Sequence, residues 1–282
     1  MAKQHFDLND DFEAIIKTQL RNVAEICKIP TGWTNYVYKA TTQKGASYIF
    51  RFPRHDFWVE SLKKEVWFNK FIKDKTKFKT VNIKYKKFDG RGYGVHRFVK
   101  GITMAEGYQQ MATKQKQILA RDITNYILSL QAVDVREIDL PTFSEFHIGL
   151  ADVNGDEKYN YMEIFKPLFD KEKDKKKLVL VHGDFNPGNI LVNKKFKMIG
   201  VLDYAFASVS AGPADLAVLL TRPPYRTDFY NYMIAEYEKA SKKKVDKKML
   251  DEFIKARVEI EADYVKYMAR CHKDVVLPEV AF

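Results

Sequence analysis

The chain has 282 residues, 46% apolar and 30% charged, with a formal net charge of +11. This is the make-up of an ordered globular protein with enough chain for a sizeable core, and two lobes are expected. No apolar run is long enough to cross a bilayer, and Cys27 and Cys271 stand apart without CxxC or HExxH spacing, which argues against helical membrane spans, a disulfide framework and a dedicated zinc site.

The opening MAKQHFDLNDDFEAIIKTQL enters an acidic amphipathic pattern rather than a secretory signal, so a cytoplasmic location is expected. Phe12, Ile15, Ile16, Leu20 and Val23 recur at helical spacing across 10–24, with Asp10 as the cap. NYVYKATT, a turn at QKG and SYIFRF then read as a hairpin of aromatic and β-branched residues. A second helix spans 57–72, and VNIKYKKF, DGRG and YGVHRFV form another hairpin. Strand, strand, helix, strand, strand makes residues 1–98 a small α+β lobe.

The character changes in 99–282, which is mostly helical. A long helix over 109–133 puts Ile123, Ile127 and Leu130 on one face, and after 213 the pattern Leu250, Ile254, Val258, Val265 and Met268 continues the theme. Much of the positive excess lies in KEKDKKK (171–177) and KKKVDKK (242–248), which read as solvated runs.

Between the helical stretches lies LVLVHGDFNPGNILVN (178–193), where polar and turn-forming residues interrupt apolar strands, followed by FKMIGVLDY (196–204). Two strand ends thereby deliver Asp184 and Asp203, with Asn189 between them. Hard oxygen donors there suit Mg²⁺, which binds one or two carboxylates together with substrate phosphates. The remaining carboxylate, Asp184, can take the proton of a substrate hydroxyl during phosphoryl transfer. Pro187 and Gly188 shape the loop, and His182 at a strand end reads as its hydrogen-bonding support.

HGDFNPGN followed by GVLDYAFASVSAGPADLA resembles the catalytic segment of the aminoglycoside phosphotransferase family, antibiotic and small-molecule kinases with a protein-kinase-like fold. The resemblance implies a small sheet-containing N-lobe and a larger, mostly helical C-lobe. It makes Asp184 the catalytic residue, Asn189 and Asp203 the Mg²⁺ ligands, and Asp215 a structural acid. TGWTNYVYKA resembles the nucleotide-covering loop, YIFRFPR the third strand, SLKKEVWF the helix bearing Glu65, and HRFVKGITM the hinge. Gly32, Arg51, Glu65, Phe98 and Val99 are then the expected nucleotide-binding residues, with ATP or GTP as phosphate donor.

The acceptor is expected to be a small hydroxyl-bearing molecule, an aminoglycoside-type antibiotic first. Tyr204, Glu259 and Asp263 are its candidate contacts, with Tyr225, Glu261, Tyr264 and Tyr267 beside them; the acids are equally suited to pairing with Arg257, Lys255 or Lys266. A macrolide, choline, sugar or amino-alcohol kinase is the alternative, and the single Gly32 and Arg51 also fit a nucleotide-binding pseudokinase. The protein is expected to act as a monomer or dimer, without nucleic-acid or membrane partners.

Overall fold

A computed structural model of the chain describes residues 3–30, 32–136, 138–154, 158–174 and 177–271. It begins with helix α1 (Phe12–Gln19), strands β1 (Val23–Ile29), β2 (Asn35–Thr42) and β3 (Ser47–Pro53), and helix α2 (Asp56–Ile72). Strands β4 (Lys79–Thr80), β5 (Lys84–Phe88), β6 (Arg91–Arg97) and β7 (Ile102–Thr103) follow, then helices α3 (Met104–Gly107), α4 (Thr113–Gln131), α5 (Phe143–Asn154) and α6 (Lys158–Glu172). Strands β8 (Val179–Val181), β9 (Ile190–Val192), β10 (Met198–Val201) and β11 (Ser208–Ser210) precede helices α7 (Ala214–Leu219), α8 (Tyr230–Ser241) and α9 (Lys247–Cys271). These elements fall into two compact units. One comprises the described residues of Met1–Lys70, Val81–Val99 and Asp263–Phe282; the other comprises those of Phe71–Thr80 and Lys100–Ala262.

The first unit is built on a five-stranded antiparallel sheet in the order β1-β2-β3-β6-β5. Alternation along β3 sends Phe50 and Phe52 to one face, where they join Phe6, Phe12, Ile15, Ile16 and Tyr93 in an aromatic-rich core. The same alternation turns Arg51 to the opposite face, to meet Glu65 of α2. The β5–β6 turn uses Asp89 and Gly90, both at positive φ (48° and 76°), as a two-residue hairpin of this twist requires.

The helix expected over 10–24 is shorter than its pattern. Asp11 rather than Asp10 caps it, accepting from the Ala14 N–H, and the chain leaves helical geometry before Asn22, which is left-handed at φ 56°. Val23 therefore opens β1, an edge strand without a fully buried residue, whose sequence shows little alternation to betray it.

In the second unit Ile123, Ile127 and Leu130 are fully buried on α4, as their spacing predicts. On α9 the buried stripe runs through Leu250, Phe253, Ile254, Ala256 and Ile260, so position 257 faces inward and Val258 is 36% exposed. Val265 is half-buried, and the side chain of Met268 lies outside the described residues. A four-stranded sheet, β4-β10-β9-β7, carries the strand ends of interest: β10 is antiparallel to β9, with Val201 opposite Ile190, and β8 pairs with β11. Among the described residues no helix is long and apolar enough to cross a membrane.

Candidate active site

The loop between β8 and β9 is held open by its own hydrogen bonds. Gly183 adopts φ +79°, and a Cβ there would lie 2.0 Å from the Phe206 carbonyl oxygen, so only glycine fits. Asp215, 1% exposed on α7, accepts the His182 and Gly183 N–H groups at 2.9 and 3.0 Å, and burial raises its pKa. The Asp184 N–H donates to His182 Nδ1 at 3.3 Å, and His182 Nε2 lies 2.8 Å from the Leu202 carbonyl. A carbonyl can only accept and an amide N–H can only donate, so this fully buried imidazole donates from Nε2 and accepts at Nδ1, bracing the loop against β10. Phe185, also fully buried, stacks on Tyr126 of α4 at 5.2 Å and anchors the loop in the core.

The Asp184 carboxylate is held by three donors. Its Oδ2 accepts from Asn186 Nδ2 at 3.0 Å and Asn189 Nδ2 at 3.1 Å, and its Oδ1 accepts from Arg257 Nη2 at 2.6 Å. Asn189 Nδ2 also donates to the Asp184 carbonyl at 2.9 Å, which fixes the orientation of the amide and leaves its Oδ1 without a hydrogen bond among the described residues. The Leu202 N–H donates to the Asn189 carbonyl at 2.8 Å, so the β9–β10 pairing brings Asp203 in immediately after that bond. Asp203 is left-handed, at φ 61° and ψ 72°, a conformation that costs a non-glycine residue about 1 kcal/mol or more and is concentrated at functional sites. The Asn189 amide oxygen, without a donor among the described residues, and the carboxylate of Asp203, next in sequence to Leu202, are hard donors of the kind that would fit Mg²⁺. Among the described residues no three His, Cys, Asp or Glu side chains converge to hold a metal; an ion held by two protein oxygens would complete its shell with substrate phosphates and water.

Arg257 is the residue that sequence reasoning undervalued. Its side chain is 10% exposed, and its Nε donates to Glu261 at 2.8 Å while Nη2 reaches Asp184. Glu261 in turn takes Arg222, through Nε at 2.6 Å. Burial alone lowers the pKa of Arg257, but the carboxylates of Asp184 and Glu261 outweigh it and hold the guanidinium charged. The signal in the sequence was its place on the buried stripe of α9, three residues after Ile254 and three before Ile260.

In the first unit Arg51 Nη1 donates to both oxygens of Glu65, at 2.8 and 3.0 Å, with Glu65 fully buried. Gly32 sits in the β1–β2 loop where a Cβ would lie 2.4 Å from the Asn35 carbonyl oxygen, and its own carbonyl accepts from Arg54 Nε at 3.2 Å. The Phe98 N–H donates to the Ser47 carbonyl at 2.9 Å.

The expected acceptor contacts are not gathered together. Tyr204 is a core residue, 1% exposed, its hydroxyl accepting from Tyr126 at 2.8 Å; an aromatic ring beside Asp203 is here packing, not pocket lining. Tyr225 is likewise buried, its ring 4.8 Å from that of Tyr108. Asp263 pairs with Lys266 at 3.1 Å and Glu261 with two arginines, whereas Glu259 is exposed. The side chains of Tyr264 and Tyr267 lie outside the described residues.

An antiparallel sheet with a buried Arg–Glu pair, a helical unit and a braced HGDFNPGN loop define a mixed α+β, kinase-like phosphotransferase. The chain belongs to the phosphotransferase enzyme family, whose model matches residues 25–247, and it is a small-molecule kinase. It is similar to the solved GDP and kanamycin complex of an aminoglycoside 2″-phosphotransferase of type IIIa, at 19% identity over 94% of each chain with a TM-score of 0.68. A streptomycin and ATP ternary complex of the type IIa 2″-enzyme is 18% identical over 83% of this chain and 85% of that one, with a TM-score of 0.57. A macrolide 2′-phosphotransferase of type I is 14% identical over 99% of this chain and 100% of that one, with a TM-score of 0.64. At these identities the likeness is one of fold. No curated protein matches the sequence.

Proposed function

We propose that the protein transfers the γ-phosphoryl group of ATP or GTP to a hydroxyl of a small molecule, with Asp184 as the catalytic base. The observation that carries this reading is the Asp184 carboxylate itself, fixed by Asn186, Asn189 and Arg257 on a loop braced by Asp215 and His182. Asp184 accepts the acceptor's hydroxyl proton while that oxygen bonds to the γ-phosphorus. The bond from phosphorus to the bridging oxygen breaks, and the nucleoside diphosphate leaves. Asn189 Oδ1 and Asp203 would hold Mg²⁺, which when bound neutralises phosphate charge. Arg51, steadied by Glu65, takes a phosphate oxygen, the loop at Gly32 offers backbone N–H groups, and the base bonds to the Phe98 carbonyl and Val99 N–H. In this reading residues 1–98 bind the nucleotide and 99–282 carry the base and the acceptor.

An aminoglycoside is the first acceptor class to test, because two of the similar structures carry kanamycin and streptomycin, and the exposed Glu259 suits an ammonium group. A macrolide is the second. The test is diphosphate release by the purified full chain with Mg²⁺ and ATP or GTP across aminoglycosides, macrolides, choline and simple sugars. Release with an aminoglycoside supports the acceptor class. Release with a metabolite alone replaces it, and no release with any acceptor ends the phosphotransferase reading.

A further inference from the structure

A carboxylate offers about four lone-pair positions. On Asp184 both positions of Oδ2 are taken by the Asn186 and Asn189 amides, and one of Oδ1 is taken by Arg257. One remains, on Oδ1. If Asp184 is the base, as proposed above, the reacting hydroxyl must bond there, beside the guanidinium. With Nη2 at 2.6 Å from Oδ1 and the hydroxyl at ordinary hydrogen-bond length on the other lone pair, guanidinium and hydroxyl stand about 4 to 5 Å apart. Whatever group the acceptor carries next to its reacting hydroxyl is therefore within reach of Arg257.

The guanidinium is committed to that position. Glu261 holds Nε, Arg222 holds Glu261, and only a tenth of the Arg257 side chain is exposed. Nη1 has no hydrogen bond among the described residues, so it still offers its N–H donors. Within the hydrogen-bonded set of Asp184, Arg257, Glu261 and Arg222 two arginines balance two carboxylates, so the set itself supplies no negative excess for an ammonium placed beside Arg257.

We propose that Arg257 is a specificity-determining residue, selecting acceptors whose reacting hydroxyl is flanked by a hydrogen-bond-accepting oxygen, carboxylate, hydroxyl or ether, and rejecting those flanked by an ammonium. The inference rests on Asp184 as base and narrows the acceptor. On an aminoglycoside it selects a hydroxyl whose ring neighbours are oxygens.

The test compares kcat/KM for matched acceptors, with the phosphorylated position located by NMR of the product: kanamycin A against kanamycin B, and glucose against glucosamine, each pair differing by a hydroxyl against an ammonium at one carbon and compared for phosphate transfer to the hydroxyl beside that carbon. Each ratio is taken within one variant, so the folded fraction cancels. The oxygen-bearing member of a pair is expected to be favoured about tenfold by the unaltered protein, the worth of one charged contact. Arg257→Gln should bring the ratio toward unity, and Arg257→Lys, which keeps the charge without the fork, should preserve its direction. A preference for the ammonium member, or an unchanged ratio in Arg257→Gln, overturns the assignment. No diphosphate release with any of the four, or with any acceptor of the wider panel, with ATP or GTP, overturns the reading of Asp184 on which it rests.

Discussion

Glu65 is fully buried and its partner Arg51 nearly so, with one guanidinium nitrogen 2.8 and 3.0 Å from the two carboxylate oxygens. Glu65→Ala leaves that guanidinium in the interior without its carboxylate, which costs about 3–5 kcal/mol. Glu65→Gln keeps the shape and one acceptor, so its cost is nearer that of a single charge-assisted hydrogen bond, about 1.5–3 kcal/mol. Replacing both partners, as Arg51→Met with Glu65→Met, removes the desolvation of two ions together with their attraction, and is expected to return stability to within about 1–2 kcal/mol of the starting protein. Turnover should not return with it, because the cation assigned to the phosphates is gone. Trp33, Trp58 and Trp67 are the three tryptophans of the chain and all lie in the first unit, so urea unfolding followed by their fluorescence reads this pair directly. A Glu65→Ala cost below about 1 kcal/mol, or a double variant no more stable than either single one, would refute the argument.

Gly183→Ala combines a positive φ with a Cβ 2.0 Å from a backbone oxygen, so it should lower turnover far more than it lowers the unfolding midpoint of the whole chain; unaltered turnover would show that the β8–β9 loop tolerates displacement. Lys64 provides a test by pH. Burial, opposed by neighbouring Glu65, pushes its pKa from 10.5 down to about 8, so between these values the unfolded chain binds more protons than the folded one. Its ammonium therefore weighs on the fold in full below pH 8, and the burden lifts as the pH rises toward 10.5. Lys64→Gln should be more stable than the parent at neutral pH, with the difference closing across that window, as thermal melts over pH would record. A constant difference would contradict the burial argument.

How much of this was legible depended on whether the signal was local. The β2–β3 and β5–β6 hairpins and helices α2 and α4 carry clear periods bounded by turn residues, and they were readable. β1 was not, because an edge strand without a fully buried residue has little pattern to show, and β4 and β7, two residues each, are too short for any period. Asp184, Asn189 and Asp203 stood out through their spacing around two short strands. The grip on Asp184 did not, since Arg257 lies 73 positions away and nothing near it in the chain announces the partner. Tyr204 misled for a related reason: its neighbour Asp203 suggested an exposed setting, while Tyr126 and the ring of His182 enclose it.

The central claim is that the Asp184 carboxylate takes the acceptor's proton, and Asp184→Asn tests it most directly. The substitution keeps the side-chain shape and removes the base. Turnover measured by diphosphate release should fall about 10²–10⁴-fold, while the affinity for ATP or GTP, measured by calorimetry on the same preparation, stays largely intact. Turnover that persists at the parent rate with nucleotide bound would contradict the account.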